Sequence, residues 1–148
     1  MLFYTHLLFA FLSGLFAIRY FSISDQILFI ILVLFSGLLP DIDSPNSKFG
    51  KYFKHLMPFK HRGFIHSLIV LPVIAFILYY FNYSRFSLPI IVGYISHLIG
   101  DAITKEGIMP FYPFSGFRIK GFIRTGGLIE QILFIALTVV SAYFLLYS

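Results

Sequence analysis

The chain contains no cysteine. That excludes a disulfide framework, a thiolate metal site and a cysteine nucleophile, and it leaves His, Asp and Glu as the only strong metal ligands. Charge is also scarce. Asp, Glu, Lys and Arg together make up 11% of the residues, against 59% hydrophobic residues and a mean hydropathy of +0.90. A soluble domain of this size cannot cover so much apolar surface with polar groups, whereas lipid can. There is no internal repeat and no low-complexity tract, so the 148 residues read as a single membrane-embedded domain over residues 1–148. A positive n-region is missing as well: the first basic residue is Arg19, after the apolar run. Residues 1–18 therefore read as a retained helix rather than a cleaved signal peptide.

What is present is a series of apolar runs near 3–20, 24–39, 64–82, 87–103 and 127–147. A membrane span needs about 20 residues to cross roughly 30 Å of hydrocarbon. The first, third and fifth runs meet that length, and the second and fourth fit with tilt or local thinning. Irregular backbone cannot face lipid, so the expected fold class is all-α, an integral membrane bundle of about five transmembrane helices. Polar stretches interrupt it at Pro40 to Gly63 and at Thr104 to Gly126.

Alternating these helices across a bilayer puts both long loops on one side. Every His and every acidic residue except Asp25 falls there, as do 9 of the 11 Lys and Arg residues. The excess of positive charge makes that side cytoplasmic. The expectation is a multi-pass plasma-membrane protein with its N-terminus and polar face cytoplasmic and its C-terminus outside. The net charge of +5 suits anionic partners such as lipid headgroups, phosphate esters or nucleic acid, and also suits topology alone.

The chemistry gathers in three segments. Pro40-Asp41-Ile42-Asp43-Ser44-Pro45 brackets two carboxylates between prolines, a ligand set for divalent cations; an ordinary Asp-capped turn is the alternative, although the helix dipole disfavours Asp at a C-terminus. His61-Arg62-Gly63-Phe64-Ile65-His66-Ser67 sets two histidines around an arginine suited to gripping phosphate. His97 and Asp101, four residues apart, share one helix face and can hold one ion or simply hydrogen-bond to each other. His6 and Glu130 lie near the starts of the first and last helices. Each motif alone is weak; five helix ends delivering His and carboxylate to one depth is the stronger signal, because ionisable groups in membrane segments are costly and bundle interiors commonly build His/carboxylate metal sites.

The order His6, Leu39-Pro40-Asp41-Ile42-Asp43-x-Pro45, His61-Arg62-Gly63-x-x-His66-Ser67, Gly93-Tyr94-x-Ser96-His97-x-x-x-Asp101, Gly126-x-x-x-Glu130 resembles the YdjM-like membrane-bound metal-dependent hydrolases over nearly the whole chain. That family is distantly similar to zinc-dependent phospholipase C and its kin among single-strand nucleases. The resemblance implies His6, Asp41, His66, His97, Asp101 and Glu130 as metal ligands, with Asp43 and His61 beside them by residue type. Gly126 stands where the related HxxxE motif has its histidine, which implies two ions rather than three; Zn2+ fits this ligand set, and Mn2+ also does. Ile65 replaces a common threonine.

The expected function is a metal-dependent phosphoesterase acting on a lipid or other phosphate ester, with nucleic acid the lesser candidate. Asp41 would bridge two ions about 3.5–4 Å apart. Asp41, Arg62 and His66 would form the catalytic set, and Arg62, with Lys60, Arg118 or Arg124, would meet charge developing on phosphate. Phe111, Tyr112, Phe114 and Phe117 could lie in the headgroup layer and admit a lipid. Two other classes suit parts of the pattern: a transporter with a His/Asp path, and a metal-free lipid phosphatase using His97 as nucleophile. Nearly all ionisable groups stop at one face, which counts against the first; no PSGH-like segment is present, which counts against the second.

Overall fold

The computed structural model describes residues 1–43 and 63–147. Its helices are α1 (Phe3–Phe21), α2 (Gln26–Ser36), α3 (Val70–Tyr80), α4 (Ser87–Ala102) and α5 (Leu128–Tyr147), with 3-10 turns at Leu39–Asp43, Phe64–His66 and Ser84–Phe86. Among the described residues there is no strand, only isolated bridges at Thr104–Ile123 and Ile108–Ile119. The all-helical expectation holds.

Local chemistry accounts for several boundaries. Ser22 leaves α1 in the left-handed region at φ 47°. Asp25 then caps α2, its Oδ1 accepting the Leu28 amide at 3.1 Å. Pro89 sits in the first turn of α4, where its missing N–H leaves no helical hydrogen bond unmade.

Helix α4 is the centre of the bundle and packs chiefly against α2 and α1, while α5 lies against α1. Gly93 permits the α2 contact: a Cβ there would run into Ser36 Oγ and the Val33 carbonyl. Ser36 Oγ is within hydrogen-bond reach of the Val33 and Pro89 carbonyls, at 3.1 and 3.2 Å, and so bridges the two helices.

The polarity of the fold is inverted relative to a water-soluble bundle. The buried set includes Thr5, His6, Ser36, His66, Ser96, His97, Asp101 and Glu130. The outside carries Ile27, Ile31 and Phe35 of α2, Phe76 and Tyr79 of α3, and Ile132, Ile135 and Val139 of α5. An apolar exterior of that extent marks a surface covered by something other than water.

Helix lengths depart from expectation. Among the described residues only α1 and α5 are long and apolar enough to cross a membrane by themselves. The run at 64–82, expected as one full-length helix, is broken. Ser67 is extended at φ −103°, ψ 152°, and α3 keeps 11 residues, about 16 Å at roughly 1.5 Å per residue. The break has a local cause: the Phe64–His66 turn directs His66 and Ser67 into the interior. A five-span bundle is thus not established by helix length.

Candidate metal centre

Four elements meet at one end of α4. His97 and Asp101 lie one turn apart on its inner face, buried. His6 comes from the first turn of α1, Asp41 from the turn after α2 and His66 from the turn before α3. Gly100 leaves room for His6, since a Cβ there would stand 3.1 Å from the imidazole Cε1 and Nδ1.

The distances define two overlapping groups, His6–His97–Asp101 and Asp41–His66–His97, with ligand atoms within 4.8 Å of one another in each. His6 Nε2 lies 3.2 Å from Asp101 Oδ1, and His66 Nε2 lies 3.6 Å from Asp101 Oδ2. His97 Nε2 stands 3.8 Å from Asp101 Oδ2 and 3.9 Å from Asp41 Oδ1. Ligand atoms about 2.0–2.2 Å from a tetrahedral zinc ion are themselves roughly 3.3–3.6 Å apart. Apart from the His6–Asp101 approach, which is within hydrogen-bond reach, the spacing is that of ligands around a cation rather than of groups bonded to each other.

His97 is oriented for that task. Its Nδ1 lies 2.8 Å from the Gly37 carbonyl. A carbonyl only accepts, so Nδ1 carries the proton and Nε2 presents a lone pair to the carboxylates. His6 Nδ1 and His97 Nε2 are buried without a hydrogen-bond partner, whereas His6 Nε2 is within hydrogen-bond reach of Asp101. Buried polar groups are ordinarily bonded, and orphaned imidazole nitrogens beside carboxylates match a divalent cation's demand for neutral nitrogen and anionic oxygen. The residues present fit such a metal.

The remaining expected ligands fall differently. Glu130 is buried, but one oxygen accepts the Leu2 amide at 2.7 Å and the other the Gly126 amide at 2.6 Å. Among the described residues neither metal group includes it. The Met1 nitrogen donates to Asp101 Oδ1 at 2.7 Å. Asp43 closes the Leu39–Asp43 turn, but its side chain, with Lys60, His61 and Arg62, lies outside the described residues. Two supporting contacts escaped the sequence reading. One is the Gly37 carbonyl, which no side-chain pattern announces. The other is Tyr94, whose hydroxyl donates to the Ile65 carbonyl next to His66; its place in the Gly93-Tyr94-x-Ser96-His97 segment was its one signal.

A helical membrane protein with an apolar exterior and a buried centre of histidine and carboxylate is the class that fold and site define. The chain belongs to the YdjM inner membrane protein family, whose model matches residues 1–147. It is 33% identical over 135 residues to the uncharacterized protein YvsG of Bacillus subtilis, covering 86% of this chain and 84% of that one. It is 30% identical over 119 residues to the inner membrane protein YdjM of Escherichia coli, covering 72% of this chain and 61% of the relative. The match thus spans less than two thirds of the E. coli protein. No solved structure matches the chain.

Proposed function

We propose that this protein is a multi-pass, metal-dependent hydrolase, a phosphoesterase that cleaves a lipid or other phosphate ester at the cytoplasmic membrane face. The observation that carries the reading is the unpartnered His97 Nε2, held by the Gly37 carbonyl at 2.8 Å and facing two carboxylates at 3.8 and 3.9 Å. An isolated His–Asp hydrogen bond would close that gap.

His6, His97 and Asp101 would hold one divalent ion; His97 has only Nε2 free and so serves that ion alone, while Asp41 and His66 would hold a second. Asp101 directs Oδ1 to His6 and Oδ2 to His66, so it is better placed than Asp41 to serve both. Bound ions of this kind supply Lewis-acid polarisation of phosphate and acidification of water. The chain's own residues orient the imidazoles and exclude bulk water through burial; Arg62, four residues before His66 in the sequence, carries a planar fork that suits a phosphoryl group. The apolar surfaces of all five helices support a five-span arrangement, and the 9-to-2 division of Lys and Arg supports a cytoplasmic site.

Elemental analysis of the purified protein followed by a phosphoester screen, with and without chelator, tests this. Bound zinc or manganese and hydrolysis lost on chelation are expected. Hydrolysis that survives chelator with a trapped phosphohistidine at position 97, or ion flux without hydrolysis, would overturn it in favour of a histidine phosphatase or a transporter.

A further inference from the structure

The segment between α4 and α5 is built as a platform. Ile108 and Ile119 exchange backbone hydrogen bonds at 3.0 and 2.9 Å, the Gly121 amide donates to the Thr104 carbonyl at 2.9 Å, and the Leu68 amide donates to the Pro110 carbonyl at 2.9 Å. Gly121 makes this possible, since a Cβ there would strike the Ile103 backbone. Ile108, Met109 and Ile123 face inward.

The backbone and small apolar side chains are thereby used internally, and the large aromatics are left outside. Phe114 is 86% exposed, the most of any large hydrophobic side chain among the described residues, with Phe122 at 71% and Phe117 at 61%. Interleaved with them are Arg118, Lys120 and Arg124, and Lys105 precedes them; Glu106 is the one acidic residue of the segment. Water alone is a poor solvent for such a surface. Aromatic rings beside cations are suited to the headgroup layer, where rings reach the acyl boundary and cations meet phosphate. The charge also selects the occupant. A second copy would set four cations against four, which is unfavourable across an interface, whereas anionic lipid complements them.

We infer that residues 105–124 form an anionic-phospholipid docking surface, with Phe114, Phe117 and Phe122 entering the headgroup–acyl boundary and Lys120 and Arg124 binding lipid phosphate. The inference stands on exposure and charge, and does not need the metal centre to be catalytic. Its source of phosphate is the bilayer rather than a free phosphate ester.

The chain has no tryptophan, so Phe114→Trp places a single reporter on the full-length protein. Nanodiscs carrying acyl-brominated lipid, with phosphatidylglycerol titrated into phosphatidylcholine, read its depth. Blue-shifted emission with bromine quenching that grows with phosphatidylglycerol is expected. Lys120→Gln with Arg124→Gln should weaken that dependence by roughly fivefold for each cation, the factor one basic residue carries at an anionic surface. Both positions are exposed, and unchanged helicity by circular dichroism controls for folding. Equal quenching in both lipids would overturn the anionic part. A water-like emission, or a blue shift without quenching, would overturn lipid docking altogether, the second pointing to a protein partner. Inorganic phosphate that abolishes quenching at millimolar concentration would assign the cations to a soluble phosphate instead.

Discussion

His6 of α1 and His97 of α4 stack face to face, with ring centroids 4.0 Å apart and planes inclined by 8°. Residues 91 positions apart in the chain are thus parallel partners, and among the described residues only His97 belongs to both ligand groups. His97 has one free nitrogen and so binds one ion; His6→Ala and His97→Ala should each lose the ion they share and keep the Asp41–His66 position. Metal-to-protein ratios by plasma emission spectrometry check this; clearly unequal losses in the two variants would contradict a shared ion. Ligation requires neutral imidazole, so acid competes with the metal, and occupancy in the wild type should fall on acidification and return on neutralisation.

Tyr94 positions His66 at one remove. Its hydroxyl bonds the Ile65 carbonyl, and His66 follows directly. Tyr94→Phe should cost about 1 kcal/mol of stability. It should also weaken metal binding at the Asp41–His66 position by about 10–100-fold, the usual scale for a lost supporting contact, while the His6–His97–Asp101 group keeps its affinity. Competitive titration with a metallochromic chelator separates the two. A uniform loss at both positions would make Tyr94 a packing residue only.

Glu130 offers the opposite case. Both of its oxygens accept backbone amides, from Leu2 and Gly126. Glu130→Gln replaces one acceptor by an NH2 donor facing an N–H, with an expected cost of about 1–3 kcal/mol and little change in metal content. Thermal unfolding in detergent together with metal analysis gives the answer. Retained stability with lost metal would instead return Glu130 to the ligand set that the motif implies.

Topology is open to direct labelling because the chain has no native cysteine. Single cysteines at Asn46, Ser84 and Ser148 should report Asn46 from the cytoplasm and the other two from outside. Labelling of Asn46 and Ser148 from the same side would rule out five spans, and labelling of Asn46 from outside only would reverse the orientation.

Composition and residue order determined the all-helical class, the membrane setting, four of the five helix positions to within a few residues, and the family. Apolar periodicity and one-sided charge are local properties, so they survive without coordinates. The pairing of His97 with Asp101 was equally legible, because an i, i+4 relation on a helix is a local one. The interior was not. That α3 starts only at Val70 followed from His66 and Ser67 turning inward, a choice made by the polar centre and not by the apolar run that contains them. Which nitrogen of His97 is free depended on the Gly37 carbonyl 60 residues away, and backbone carbonyls leave no mark in a sequence. Whether Glu130 faces a metal or two amides, and which carboxylate reaches both histidine sets, were decided by how α1, α4 and α5 pack. Such packing is set by small residues such as Gly93 and Gly100, whose effect is felt only when the facing helix is in place.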